Sequence, residues 1–318
     1  MRIAIADSNA RKFCNDIIVH WEKKGHEVRY EIGSSEFLAQ WADLYFCDDW
    51  DNNLGYLYRL YHGLHSEMPL NWNNDKKPII VVRPLDWTVW LGHARDQAVV
   101  DWVDKVICIA PHIEKKLRAE ANFRDGQLKL IRPGLNLEKF TFKTKQTDGY
   151  QIGMVLGDMW WYKNHMGGLD IFAVLAMRDP HWMFHIRGQH ERGDYNSVMF
   201  NHYLESRGIK DRVILYDYVE DINSWYENID YLLHPGMKEA FCYAVGEAMA
   251  KGIKPVVNNF YGAEKIWTNN ILYNAHAQAI YMFNYGNPIR PNMDYRKFIE
   301  ENYSLERMLR EMDEFLGT

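Results

Sequence analysis

The chain is 318 residues long, 47% hydrophobic and 25% charged, with a formal net charge of -6 and a pI near 6.1. That length exceeds one ordinary core and suits two domains of about 150 residues each; no apolar run approaches the roughly 20 residues of a membrane span, and the acidic balance argues against an extended nucleic-acid surface. Cys14, Cys47, Cys108 and Cys242 form neither a disulfide framework nor a paired metal spacing, which fits a reducing compartment.

The first residues turn polar too soon for a signal peptide and read as a buried strand, so the expected location is the cytoplasm. Apolar runs then recur at 3–6, 27–30, 43–46, 78–82, 105–109 and 128–131, with helical patterns between them over 10–24 and 112–121. Gly25 marks the stop of the first helical pattern, and Pro111 starts the second where its missing N–H costs little. This alternation predicts a parallel sheet with crossover helices.

The polar, aperiodic stretch 141–150 separates that half from a second set of strands at 151–155, 182–186, 213–216, 231–233, 255–257 and 271–273. Helical patterns at 164–177, 196–207, 221–228 and 242–251 lie between them. The expected domains are 1–145 and 146–302, with a C-terminal helix over 303–318 as a candidate to pack back on the first. Open parallel sheets bind ligands beyond the carboxyl ends of their strands, so the expectation is two doubly wound Rossmann-like domains facing across a cleft.

The most informative stretch runs from Glu239 to Gly252. His234, Pro235 and Gly236 read as the exit turn of the strand at 231–233, which puts Glu239 in a loop above the strand and Glu247 inside the next helix. A helix opening at Phe241, Cys242 and Tyr243 offers unpaired N–H groups that suit a phosphate, while carboxylates accept hydrogen bonds from sugar hydroxyls. By itself the spacing is also that of a solvated helix face.

Several phrases in order give the chain a resemblance. Gln151-Ile152-Gly153-Met154-Val155-Leu156-Gly157 with Lys163, Phe184-His185-Ile186-Arg187-Gly188, the segment from Val213 through Tyr218 to Val219, and His234-Pro235 through Glu239-Ala240-Phe241 to Glu247 and Gly252 resemble the GT-B glycosyltransferases of family 4. That family is retaining and uses nucleotide sugars. Ile131-Arg132-Pro133-Gly134 through Asn136 to Phe140 is similar to its hinge-proximal phrase.

The resemblance implies a GT-B fold and a sugar moved from a UDP- or GDP-type donor to an acceptor hydroxyl. It implies roles in which Glu247 meets the donor ribose, Glu239 the transferred sugar, and the backbone of Phe241, Cys242 and Tyr243 the phosphate. Lys163 neutralises the leaving diphosphate, with Arg187 and Gly188 beside it; Tyr218 and Val219 meet the nucleobase; and Asp86 is the candidate to orient or deprotonate the acceptor, His93 being a weaker one. The catalytic set is then Glu239, Lys163 and Asp86. Asp158 stands where the family usually has an arginine, which leaves the diphosphate short of one expected charge.

No His/Cys/carboxylate group at metal-ligand spacing stands out, so neither a metal nor any other cofactor is expected. The acceptor stays open among glycan, lipid-linked and small-molecule hydroxyls, with peripheral membrane contact open too. The alternatives are a transferase acting on modified nucleic-acid bases, which the acidic charge disfavours, and a catalytically inactive sugar-nucleotide-binding protein.

Overall fold

The computed structural model describes residues 1–7, 14–33, 35–48, 57–58, 77–84, 96–157, 161–188, 195–217, 221–283 and 289–318. The chain divides into two compact units, Met1–Gly134 with Leu305–Thr318, and Leu135–Ser304.

The first unit holds β1 (Arg2–Asp7), β2 (Glu27–Ile32), β3 (Leu44–Asp48), β4 (Ile79–Val82), β5 (Lys105–Cys108) and β6 (Leu128–Leu130), all parallel in the order β2-β1-β3-β4-β5-β6. Central strands β1 and β3 are buried almost throughout, as continuous apolar runs covered on both faces must be. The helix Asn15–Lys23 lays Ile17, Ile18 and Trp21 on this sheet, and Trp21 meets Phe46 edge-on at 5.9 Å. The helix Leu305–Leu316 adds Met308, Leu309, Met312 and Leu316 to the same core. Its Asp313 accepts hydrogen bonds from the side chains of His20, Trp21 and Lys24.

At the carboxyl edge of this sheet, β1 and β3 end on Asp7 and Asp48, which are in register and fully buried. Arg83, just beyond β4, donates through Nε and Nη2 to Asp48, and the Cys14 thiol donates to Asp48 at 3.3 Å.

The second unit holds β7 (Gln151–Gly157), β8 (Met183–Gly188), β9 (Val213–Tyr216), β10 (Tyr231–His234), β11 (Lys254–Asn258) and β12 (Leu272–Tyr273), parallel in the order β12-β11-β10-β7-β8-β9. The order reverses at β7, whose neighbours are β8 on one side and β10 on the other. Doubly wound folds hold ligands at the carboxyl ends of the strands where the order reverses in this way. Phe172 stacks on Phe184 at 4.7 Å in the core, between the helix His165–Arg178 and β8.

The units divide at 134–135 rather than at the expected 145–146. Polarity marked 141–150 as a linker, yet this segment is fastened to the second unit. Lys143 N donates to Lys251 O at 3.0 Å, the buried Lys143 Nζ donates to the carbonyls of Glu227 and Ile229, and Arg296 donates to Phe140 O at 2.6 Å.

Candidate active site

The exits of β7 and β10 build the site. β7 gives way to a single 3-10 turn, Trp161–Lys163, and Asn164 then takes a left-handed backbone (φ 52°) that starts the helix His165–Arg178. This exit is stitched to that of β10: Met237 N donates to Tyr162 O at 2.8 Å, and the Asn164 side chain donates to Pro235 O at 3.1 Å. From β11, Asn258 donates to Gly236 O at 3.1 Å. The loop that carries Glu239 is thus pinned from both neighbouring strands. Phe241 anchors its far end, buried against Trp267 and Tyr303 with ring centroids at 5.0 and 4.8 Å.

Lys163 donates to Glu239 Oε1 in a partly buried ion pair. Burial opposes charge on the lysine, but the charge of Glu239 outweighs it and raises the ammonium above its ordinary value. His234, the last residue of β10, lies against the same carboxylate. Burial, helped by Lys163 and opposed by Glu239, lowers its ring to about 4, so the imidazole is neutral near pH 7. Cys242 Sγ approaches its Nδ1 at 3.4 Å, and burial, with Glu239, pushes the thiol well up.

Cys242 is also the N-cap of the helix Tyr243–Ala250, in a left-handed conformation (φ 63°, ψ 82°) and without a side-chain capping bond. In the first turn of that helix Val245 N donates to Cys242 O at 3.1 Å. Glu247, one turn further on, accepts a hydrogen bond at 2.8 Å from Tyr226 Oη, on the helix Ile222–Glu227. Burial and the nearby carboxylate raise the Tyr226 hydroxyl, while Arg187 acts on it in the opposite sense. Arg187 itself is buried near the end of β8, followed by Gly188 at φ 141°, where an added Cβ would meet Leu156 Cβ at 2.9 Å and Gly157 N at 3.1 Å.

Of the expected residues, the structure brings Lys163, Glu239, Phe241, Cys242 and Tyr243 together at the β7 and β10 exits, and Glu247 and Arg187 around Tyr226. Asp86, His93, Asp158, Tyr218 and Val219 lie outside the described residues. Tyr226, Asn164 and Asn258 were not singled out by sequence reasoning. A glutamate inside a helix gives no sign of which phenol will reach it from another helix; only the Asn after Lys163, at a helix start, carried a local signal, since Asn tolerates αL.

These side chains gather at the strand exits of the second unit, where doubly wound sheets hold ligands. Residues 137–280 match the family of glycosyl transferases group 1. The matched region takes in β7 through β12 and contains Lys163, Arg187, Glu239 and Glu247. No curated protein sequence matches the chain.

Among solved structures, HepE from Anabaena in complex with UDP-glucose is 15% identical over 100% of this chain and 99% of that one, with a TM-score of 0.74. Sucrose-phosphate synthase from Thermosynechococcus elongatus is 12% identical over 99% and 98%, with a TM-score of 0.75. The apo form of the lipopolysaccharide outer core galactosyltransferase WaaB is 15% identical over 99% of both chains, with a TM-score of 0.68. At such identities the likeness is one of fold: the chain has the GT-B architecture, and a region of its second unit matches the group 1 glycosyl transferases.

Proposed function

We propose that this protein is a cytoplasmic, retaining glycosyltransferase of family 4 that moves a sugar from a nucleoside-diphosphate sugar, with UDP as the first base to test, to an acceptor hydroxyl, without a catalytic metal. The observation that carries this reading is the Lys163–Glu239 pair, held where the exits of β7 and β10 are stitched together, with Glu247 fixed by Tyr226 one helical turn away. UDP-glucose bound to the similarly folded HepE lends support to the choice of donor.

In this reading Glu247 accepts hydrogen bonds from the donor ribose, and Tyr226 fixes its rotamer beforehand, so that little side-chain freedom is lost on binding. Glu239 accepts from hydroxyls of the transferred sugar. The ammonium of Lys163 and the N–H groups at Phe241, Cys242 and Tyr243 face the diphosphate, with Arg187 beside them. As the bond from the anomeric carbon to the phosphate oxygen lengthens, charge grows on the diphosphate and on an oxocarbenium-like ring, and preorganised donors lower the barrier most where that charge appears. The acceptor oxygen attacks on the face that the phosphate leaves. Its proton passes to the departing phosphate oxygen, so the step needs no separate base; Asp86 is assigned to orient the acceptor.

Incubation with UDP-, GDP- and ADP-sugars tests the reading. One donor should release its nucleotide, and addition of a chelator should leave the rate unchanged. The product anomer, read by NMR, should match the donor; an inverted anomer contradicts the retaining assignment.

A further inference from the structure

The segment 234–242 carries an imidazole, a carboxylate and a thiol that the transfer reaction uses only in part. His234 is 7% exposed, and its Nε2 makes no hydrogen bond among the described residues. That nitrogen stands 3.5 Å from Glu239 Oε1, and Cys242 Sγ stands 3.4 Å from the other ring nitrogen. One ligand atom from each of the three lies within 4.8 Å of the other two. The approach is kept clear by Gly236, where a Cβ would meet His234 Nε2 at 2.7 Å and Glu239 Oε1 at 3.6 Å. A buried imidazole nitrogen without a partner is costly to keep, and this one is aimed at a carboxylate beside a thiol.

We propose that His234, Glu239 and Cys242 form a zinc site, and that zinc held there excludes the sugar-nucleotide donor. Imidazole nitrogen, thiolate sulfur and one carboxylate oxygen, with a fourth position open, are donors that favour zinc over magnesium or manganese, which prefer oxygen ligands. Zinc–ligand bonds of about 2.0–2.3 Å leave tetrahedral ligand atoms about 3.5 Å apart; Nε2 and Oε1 are already 3.5 Å apart, and Cys242 Sγ, which rests on the Nδ1 side of the ring, turns about χ1 to complete the set. On binding, the thiol proton passes to solvent and Lys163 leaves Glu239, because a dication and an ammonium compete for the same carboxylate. Those two residues meet the donor in the proposed function, so the inhibitory part rests on that reading, whereas metal binding does not.

The test uses the full chain, stripped of metal with a chelator and titrated with cobalt(II) as a spectroscopic stand-in. The wild type should develop tetrahedral visible bands with thiolate charge transfer in the near ultraviolet, and zinc should displace them. Cys242→Gly, which suits the left-handed backbone at this position (φ 63°), should abolish the charge-transfer band. His234→Gln should weaken affinity by about 100-fold. Zinc should raise the apparent KM for the donor by about tenfold or more in the wild type, with no such rise in Cys242→Gly. Absence of the band, its persistence in Cys242→Gly, or zinc binding with an unchanged donor KM would overturn the proposal. If the cobalt spectra behave as expected while no donor is ever turned over, the zinc site stands and the transferase reading falls.

Discussion

Glu247 and Lys163 each support a distinct expectation. Glu247 is held by Tyr226 and is proposed to take the donor ribose; removing a charged hydrogen-bond partner costs about 1.5–3 kcal/mol, so Glu247→Ala should weaken donor binding by roughly 10- to 100-fold, measured by titration with the nucleotide. Tyr226→Phe leaves the carboxylate but frees its rotamer, and a milder loss of about threefold to tenfold should appear in the same titration. Lys163→Met should act chiefly on turnover, lowering kcat by about 10²- to 10³-fold, because it removes a cation aimed at charge that grows only in the transition state. An equal rise in KM with kcat untouched would instead mark Lys163 as a ground-state binder.

At the level of elements, the helix Tyr243–Ala250 begins on a cysteine in a conformation that glycine adopts freely. Replacing Cys242 with Gly should remove left-handed strain of about 1 kcal/mol, offset by the lost thiol contact, so thermal unfolding should show a melting temperature equal to or above that of the wild type. A clear fall would mean that the thiol packing outweighs the backbone strain. The position of this helix was legible because Glu239, Phe241, Glu247 and Gly252 sit close together in sequence, on one strand exit and the helix that follows it. What holds it was not legible: Asn164, Tyr226 and Asn258 reach Pro235, Glu247 and Gly236 from separate elements, and polar side chains look alike in sequence whether they face water or a carbonyl. For the same reason 141–150 read as linker, since the backbone acceptors of Lys143 leave no trace in composition.

Over the whole molecule, alternation of apolar runs and helical patterns made the two parallel sheets legible, because strands covered on both faces must be apolar throughout. Stability should depend on pH through histidines held neutral inside the second unit. His185 donates from Nε2 to Gln151 and accepts at Nδ1 from Tyr216, both at 2.8 Å, and burial lowers it to about 4. Above about pH 6.5 folded and unfolded chains are both neutral at this ring and its contribution is complete. Between 6.5 and 4 the unfolded chain binds a proton that the folded one refuses, and stability should fall by about 3 kcal/mol. His234, also near 4, adds a slope of the same sign. Denaturant titrations from pH 7 to 4 should show this loss, and His185→Gln should flatten it; an unchanged slope in that variant would place the proton uptake elsewhere.

The central claim is that Lys163, Glu239 and Glu247 bind and cleave a nucleotide sugar, and nucleotide release from a panel of UDP-, GDP- and ADP-sugars by the wild type and by Glu247→Ala tests it most directly. The expected result is release from one donor, with kcat/KM lowered by about tenfold or more in the variant while its melting temperature is retained. Silence across the panel, or a variant that turns over the donor as well as the wild type, would contradict it.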